Sequence, residues 1–96
     1  MAATDPHSAI VDAIKRRVLL RFRYNGRVRT VQPYCVGVST AGRDVLRAIE
    51  VGGARFGKLW TLSEMSDVQV LEQTFTPDDP NYNPDDKGMT KIYCRI

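Results

Sequence analysis

One histidine and two cysteines are all that 96 residues supply of imidazole and thiol, the groups that build most nucleophile–base pairs and zinc centres. A Ser-His-Asp or Cys-His arrangement could draw only on His7, which at the start of a potential helix reads as a surface residue, so no such arrangement is expected. Cys35 and Cys94 are too few and too far apart for a disulfide framework or a zinc site; each lies in an apolar run and reads as a buried free thiol in a reducing compartment. No run approaches the ~18 apolar residues of a membrane span, and the first residues carry no apolar signal-peptide core. Glycines nowhere form a phosphate loop between a strand and a helix. Asp79, Asn81 and Asn83 have calcium-loop spacing, but Pro84 stands where glycine is needed and Thr90 where a bidentate Glu is needed. The expectation is a cytoplasmic, non-enzymatic protein with no cofactor, no metal and no membrane contact.

What is present is ordinary in amount and uneven in distribution. Hydrophobic residues make up 43% and charged residues 26%, enough for one soluble domain with a modest core. The net charge is +3. Residues 1–75 hold eleven cations against seven acids, whereas residues 76–96 hold four Asp against three cations. A basic body thus carries a slightly acidic tail, a competitor for its own basic face.

The basic character concentrates in one stretch. Lys15 to Tyr34, KRRVLLRFRYNGRVRTVQPY, has seven cations and no acid. It reads as a β-hairpin about Asn25-Gly26. A two-residue turn would set Tyr24 opposite Arg27 and Phe22 opposite Arg29, mixing charge and aromatics on both faces. A three-residue loop, Tyr24-Asn25-Gly26, pairs Arg23 with Arg27 and Arg21 with Arg29, and faces Phe22 to Val28 and Leu20 to Thr30. A buried face specifies register, so the second is expected. It gathers four arginines on one face. Such a face repels itself unless an anion offsets it, and arginine's planar fork suits phosphate. The alternative is a solvated edge hairpin, kept soluble by its charge.

In chain order, Asp5 as N-cap and Pro6 at the first helical position open a helix over roughly 6–17, with Ile10, Ala13, Ile14 and Val18 on its apolar stripe. Lys15, Arg16 and Arg17 in its last turn complement the helix dipole, which is reason enough for their charge. After the hairpin, Pro33 marks an edge or a bend. Further strands follow at 35–38, 43–51, 55–62 and 67–71, with a turn at Gly52-Gly53 and a short connector, Ser63 to Ser66. One helix followed by five short strands suggests a small barrel, since closure hides sheet edges. Residues 76–88 are turn-rich. Residues 89–96, MTKIYCRI, alternate Ile92, Cys94 and Ile96 against Lys91, Tyr93 and Arg95, and read as a tethered final strand. The expected division is a body over 1–75 and a linker with a docked extension over 76–96, paired within the chain or across a homodimer.

Cationic strands interleaved with aromatics on a small barrel suit single-stranded nucleic acid or a nucleotide, where bases stack and phosphates meet arginine. The binding candidates are Arg21, Arg23, Tyr24, Arg27, Arg29, Arg47 and Lys58, with Arg43, Arg55, Tyr34 and Trp60 as outlying ones. For Trp60 and Phe22 a place in the core is preferred.

The order of these elements resembles the WYL domain, a small Sm-like, SH3-type barrel of bacterial and phage regulators. The resemblance runs over roughly 8–75: a leading helix Ala9–Arg17, a strand ending in Tyr24, Arg29-Thr30-Val31-Gln32-Pro33 for the family's R-x-V-x-P, Gly42 to Ala48 for the strand bearing its name, Lys58-Leu59-Trp60-Thr61-Leu62 for R-x-F-x-L, and a closing strand to Phe75. The chain departs from the pattern at Asp44-Val45-Leu46, where two name aromatics are missing, at Ser63-Glu64-Met65 in place of D-R-I, and at Lys58 in place of arginine. The resemblance implies a mainly β, five-stranded barrel with an N-terminal helix and a C-terminal strand-like extension. It implies a ligand-sensing, regulatory module, here a stand-alone copy without a helix-turn-helix, with Arg29 and Lys58 as its matching basic residues. A protein-interaction subunit docking an acidic surface of a larger enzyme or regulator is the other expectation.

Overall fold

The computed structural model describes residues 6–53, 57–77 and 87–96. A helix, α1 (Pro6–Arg16), leads into six strands: β1 (Val18–Tyr24), β2 (Arg27–Ser39), β3 (Asp44–Glu50), β4 (Lys58–Thr61), β5 (Ser66–Thr74) and β6 (Met89–Arg95). A single 3-10 turn, Leu62–Glu64, links β4 to β5. The helix forms on the expected stripe: Ala9, Ile10, Ala13 and Ile14 are buried, and Val18 continues the same contact from β1. It ends where Arg17 turns left-handed (φ 54°) and donates its N–H to the Ile14 carbonyl at 3.2 Å. Packed on β1, β2, β5 and β6, α1 covers one end of the sheet.

The strands form one antiparallel sheet in the order β4-β3-β2-β1-β5, with β6 also paired to β2. This is the expected mainly β fold with its helix and terminal strand. The sheet curls without closing through backbone pairs. Trp60 on β4 reaches Phe22 and Tyr24 on β1, with ring centroids 5.5 and 5.1 Å apart. A flat sheet would hold strands three places apart at about 14 Å. The seam is bridged by a side chain instead: the Thr61 N–H donates to the Tyr24 hydroxyl at 3.2 Å, and that hydroxyl donates to Glu64 at 3.1 Å.

β2 holds the sheet together by changing partners. On one side it pairs with β3 from Val31 to Val38; on the other it pairs with β1 up to Val31 and with β6 from Cys35. Pro33 lies between the two partners on that second side, and the β3 register shifts just after it. The expected bend is there, at a residue that cannot donate to a ladder. Inside the curl, Leu20, Phe22, Val31, Val36, Leu46, Trp60 and Leu62 pack against the helix. A second cluster of Tyr34, Cys35, Val45 and Met89 is covered by Ile92, Ile96 and Phe75. β6 pairs within its own chain, leaving Ile92, Cys94 and Ile96 half-buried. Cys35 is buried with its Sγ 3.6 Å from the Met89 sulfur, while Cys94 is a half-buried free thiol opposite Val36.

The hairpin register differs from the expectation. The turn has two residues, with Tyr24 opposite Arg27, Arg23 opposite Val28, Phe22 opposite Arg29, Arg21 opposite Thr30 and Leu20 opposite Val31. Both Asn25 (φ 51°) and Gly26 (φ 75°) are left-handed, the geometry whose twist matches that of the flanking strands. The pairs Arg23 with Arg27 and Arg21 with Arg29 do not form, and the face of four arginines does not exist. β4 starts at Lys58, and Leu62 belongs to the 3-10 turn. The Asp5 cap, Arg55 and the tail aspartates Asp78, Asp79, Asp85 and Asp86 lie outside the described residues, as does the calcium-like spacing around them.

Candidate ligand-binding face

The observed register sorts the basic residues onto two sides of the sheet, because directly opposed residues share a face and alternate residues return to it. Tyr24 with Arg27, Phe22 with Arg29, Val31 with Glu50, Ala48 with Lys58 and Leu46 with Trp60 all lie on the concave side. Tyr24, Arg27, Arg29 and Lys58 are therefore brought together on the concave face. Arg21 and Arg23 stand on the convex side with Thr30 and Val28, and Arg47 is there too, opposite Leu59. Arg47 donates to the Gly57 carbonyl at 3.1 Å. Arg43 is exposed just before β3, and Arg55 lies outside the described residues.

Arg29 is the centre of the concave group. One terminal nitrogen contacts both carboxylate oxygens of Glu50, at 3.1 and 3.2 Å, with only about a fifth of either side chain exposed. Its guanidinium carbon lies 5.8 Å from the Trp60 ring centroid, within cation–π range. Its Nε is buried and has no hydrogen-bond partner among the described residues. Trp60 is 4% exposed and donates its indole N–H to the Ala48 carbonyl, so it is core, as is Phe22. Tyr24 is half-buried between them and the solvent, and Arg27 and Lys58 are exposed at the rim.

Glu50 and Glu64 were not foreseen as parts of this face. Nothing in their local sequence marks them; only the register of β3 against β2 and the path of the 3-10 turn bring them to Arg29 and Tyr24. Away from this face, His7 hydrogen-bonds Asp44 at 3.2 Å, and its ring sits edge-on to Tyr93, joining α1 to β3 and β6. No group of three or more metal-ligating side chains lies together among the described residues. No helix among them is long and apolar enough to cross a membrane.

No protein-family model and no curated protein matches the chain. Among solved structures it is similar to proteasome accessory factor B/C (PafBC) of Arthrobacter aurescens, with a TM-score of 0.71 and 24% sequence identity. The likeness is one of fold. It covers 85% of this chain and 14% of that protein's length, so it concerns one part of a much larger molecule.

Proposed function

We propose that this chain is a WYL-like, non-catalytic regulatory module that binds an anionic ligand, single-stranded nucleic acid or a nucleotide, at the concave rim. One observation carries the reading: Arg27, Arg29 and Lys58 share a face with the half-buried ring of Tyr24. Cations beside an accessible aromatic ring are what a phosphate next to a base requires. The two exposed cations meet phosphates directly. Arg29 joins when an incoming oxygen shares its guanidinium with Glu50. Similarity to part of a protein named an accessory factor is compatible with a regulatory role.

The test is a fluorescent single-stranded oligonucleotide titrated at two salt concentrations. Each phosphate contact contributes about −0.7 to the slope of log affinity against log salt, so Arg27 and Lys58 give about −1.4, and Arg29 takes it to about −2. The double variant Arg27→Gln/Lys58→Gln, at exposed positions, should flatten that slope while leaving the fold intact. Undetectable binding at low salt for both DNA and RNA would sink the nucleic-acid reading, and the same result with a labelled mononucleotide would sink the nucleotide one.

A further inference from the structure

The convex side of the same hairpin differs chemically from the concave side. Arg21 lies between Thr30 and Gln69, and Arg23 between Val28 and Ser66, so neither arginine faces an acid across the ladder. Arg21 donates to the neutral Gln69 side chain, and Arg23 has no hydrogen-bonding or ionic partner among the described residues. Other acids are engaged elsewhere: Asp12 with Arg16, Asp44 with His7, Glu50 with Arg29 and Glu64 with Tyr24. Of the remaining described acids, Glu72 lies farther along β5 and only Asp67 stands beside the two arginines, which therefore outnumber the carboxylate next to them. Beside them Val28 is 61% exposed, the most exposed large apolar side chain described.

A bulge shapes the ground next to them. From Arg21 to Arg23 β1 advances two residues while β5 advances three, from Gln69 back to Ser66. Asp67 takes up the extra residue in a left-handed conformation (φ 52°) that aspartate tolerates better than most. Beside it is a groove of about 380 Å³ lined by Arg21, Phe22, Arg23, Val28, Asp67, Val68 and Gln69.

We infer that this groove docks an extended acidic segment of another protein, one with two carboxylates two residues apart and an apolar side chain two residues beyond them, on the same side of the extended chain. Residues i and i+2 of an extended chain stand about 7 Å apart, the spacing of Arg21 and Arg23 themselves. Val28 supplies the apolar contact and Gln69 an amide for the peptide backbone. An arginine pair beside an aliphatic side chain is typical interface composition. A nucleic acid fits less well. Phe22, the aromatic residue in the lining, is 1% exposed and offers no face for a base to stack on, while the Asp67 carboxylate takes N–H donors, which a phosphate backbone lacks. A peptide offers N–H groups to that carboxylate.

The test uses a labelled peptide, Gly-Glu-Ser-Glu-Ser-Val-Gly, and its counterpart with Gln for both Glu, at about 20 mM salt where screening is weak. The Glu peptide should bind at least ~10-fold more tightly, since charge-assisted pairs are the strong ones. NMR shifts on titration should cluster at residues 21–23, 28 and 66–69. The variant Arg21→Gln/Arg23→Gln should lose ~10-fold or more, and Val28→Ser about 3-fold, while Arg27→Gln/Lys58→Gln stays within about 2-fold. That last variant separates this inference from the ligand proposed for the concave rim. Equal binding of both peptides, no binding of either, or an unchanged Arg21→Gln/Arg23→Gln variant overturns it. So does loss of oligonucleotide binding in that variant with peptide binding retained, which would assign the face to nucleic acid.

Discussion

An arginine opposite a buried phenylalanine has to find its charge a partner within its own fold. Arg29 does so with Glu50 and lies over Trp60, its stem covering apolar surface. Tyr24 solves a related problem at the sheet's open seam, where its hydroxyl accepts from the Thr61 backbone and donates to Glu64. Tyr24→Phe keeps the ring contacts and removes both bonds. Stability should fall by about 1 kcal/mol, the usual net worth of such bonds where water partly replaces them. Urea denaturation reads this directly, and an unchanged midpoint would show that the seam does not depend on the hydroxyl. The hairpin was legible in Asn25-Gly26 and the flanking β-branched and aromatic residues; its register was not. Treating arginine as wholly polar led to the wrong loop. Both loops place Gly26 left-handed and differ in Asn25, a residue that takes the left-handed conformation readily, so the Asn-Gly pair itself favours the two-residue turn.

Among the elements, β2 carries the most neighbours, and Gly37 lets the last of them approach. A Cβ built there would lie 2.0 Å from the Lys91 carbonyl oxygen and 3.0 Å from the Ile92 Cα, both backbone atoms. Gly37→Ala should push β6 away at a cost of about 1–3 kcal/mol, the range for overpacking. Hydrogen exchange then shows faster amides at residues 91–95, with the β1–β2 hairpin still protected. Unchanged protection in β6 would mean that the two strands slide past each other without loss. The sequence revealed β6 through its alternation and its concentration of Ile, Cys and Met in a short stretch, and α1 through its Ile and Ala spacing. It did not reveal which edge β6 would take, because a lone glycine in a strand signals close approach without naming what approaches.

At the scale of the whole molecule, β6 is a lid on the second cluster. Removing residues 76–96 uncovers Tyr34, Cys35 and Val45 and takes away the buried Met89. With Met89 alone worth about 1.5–3 kcal/mol of burial, the truncated chain should lose at least that much and unfold at lower urea. Its urea dependence should also be shallower, since less surface is buried to begin with. A truncated chain as stable as the full one would show that the second cluster contributes nothing. The two-sided distribution of arginines belongs to this scale as well. Composition showed an arginine-rich hairpin, but only a curled sheet gives a strand an inside and an outside with different partners.

The partner change along β2 also has a consequence in time. Fifty residues separate Ser39, at the end of β2, from Met89, at the start of β6. At synthesis rates of roughly 5–20 residues per second, β2 waits about 3–10 seconds for its final neighbour, whereas a hairpin such as β1–β2 closes in microseconds. Throughout that interval the nascent chain presents a bare strand edge, open to any other extended chain nearby. The ribosome's pace, as much as the folded protein's stability, decides how long this edge is at risk.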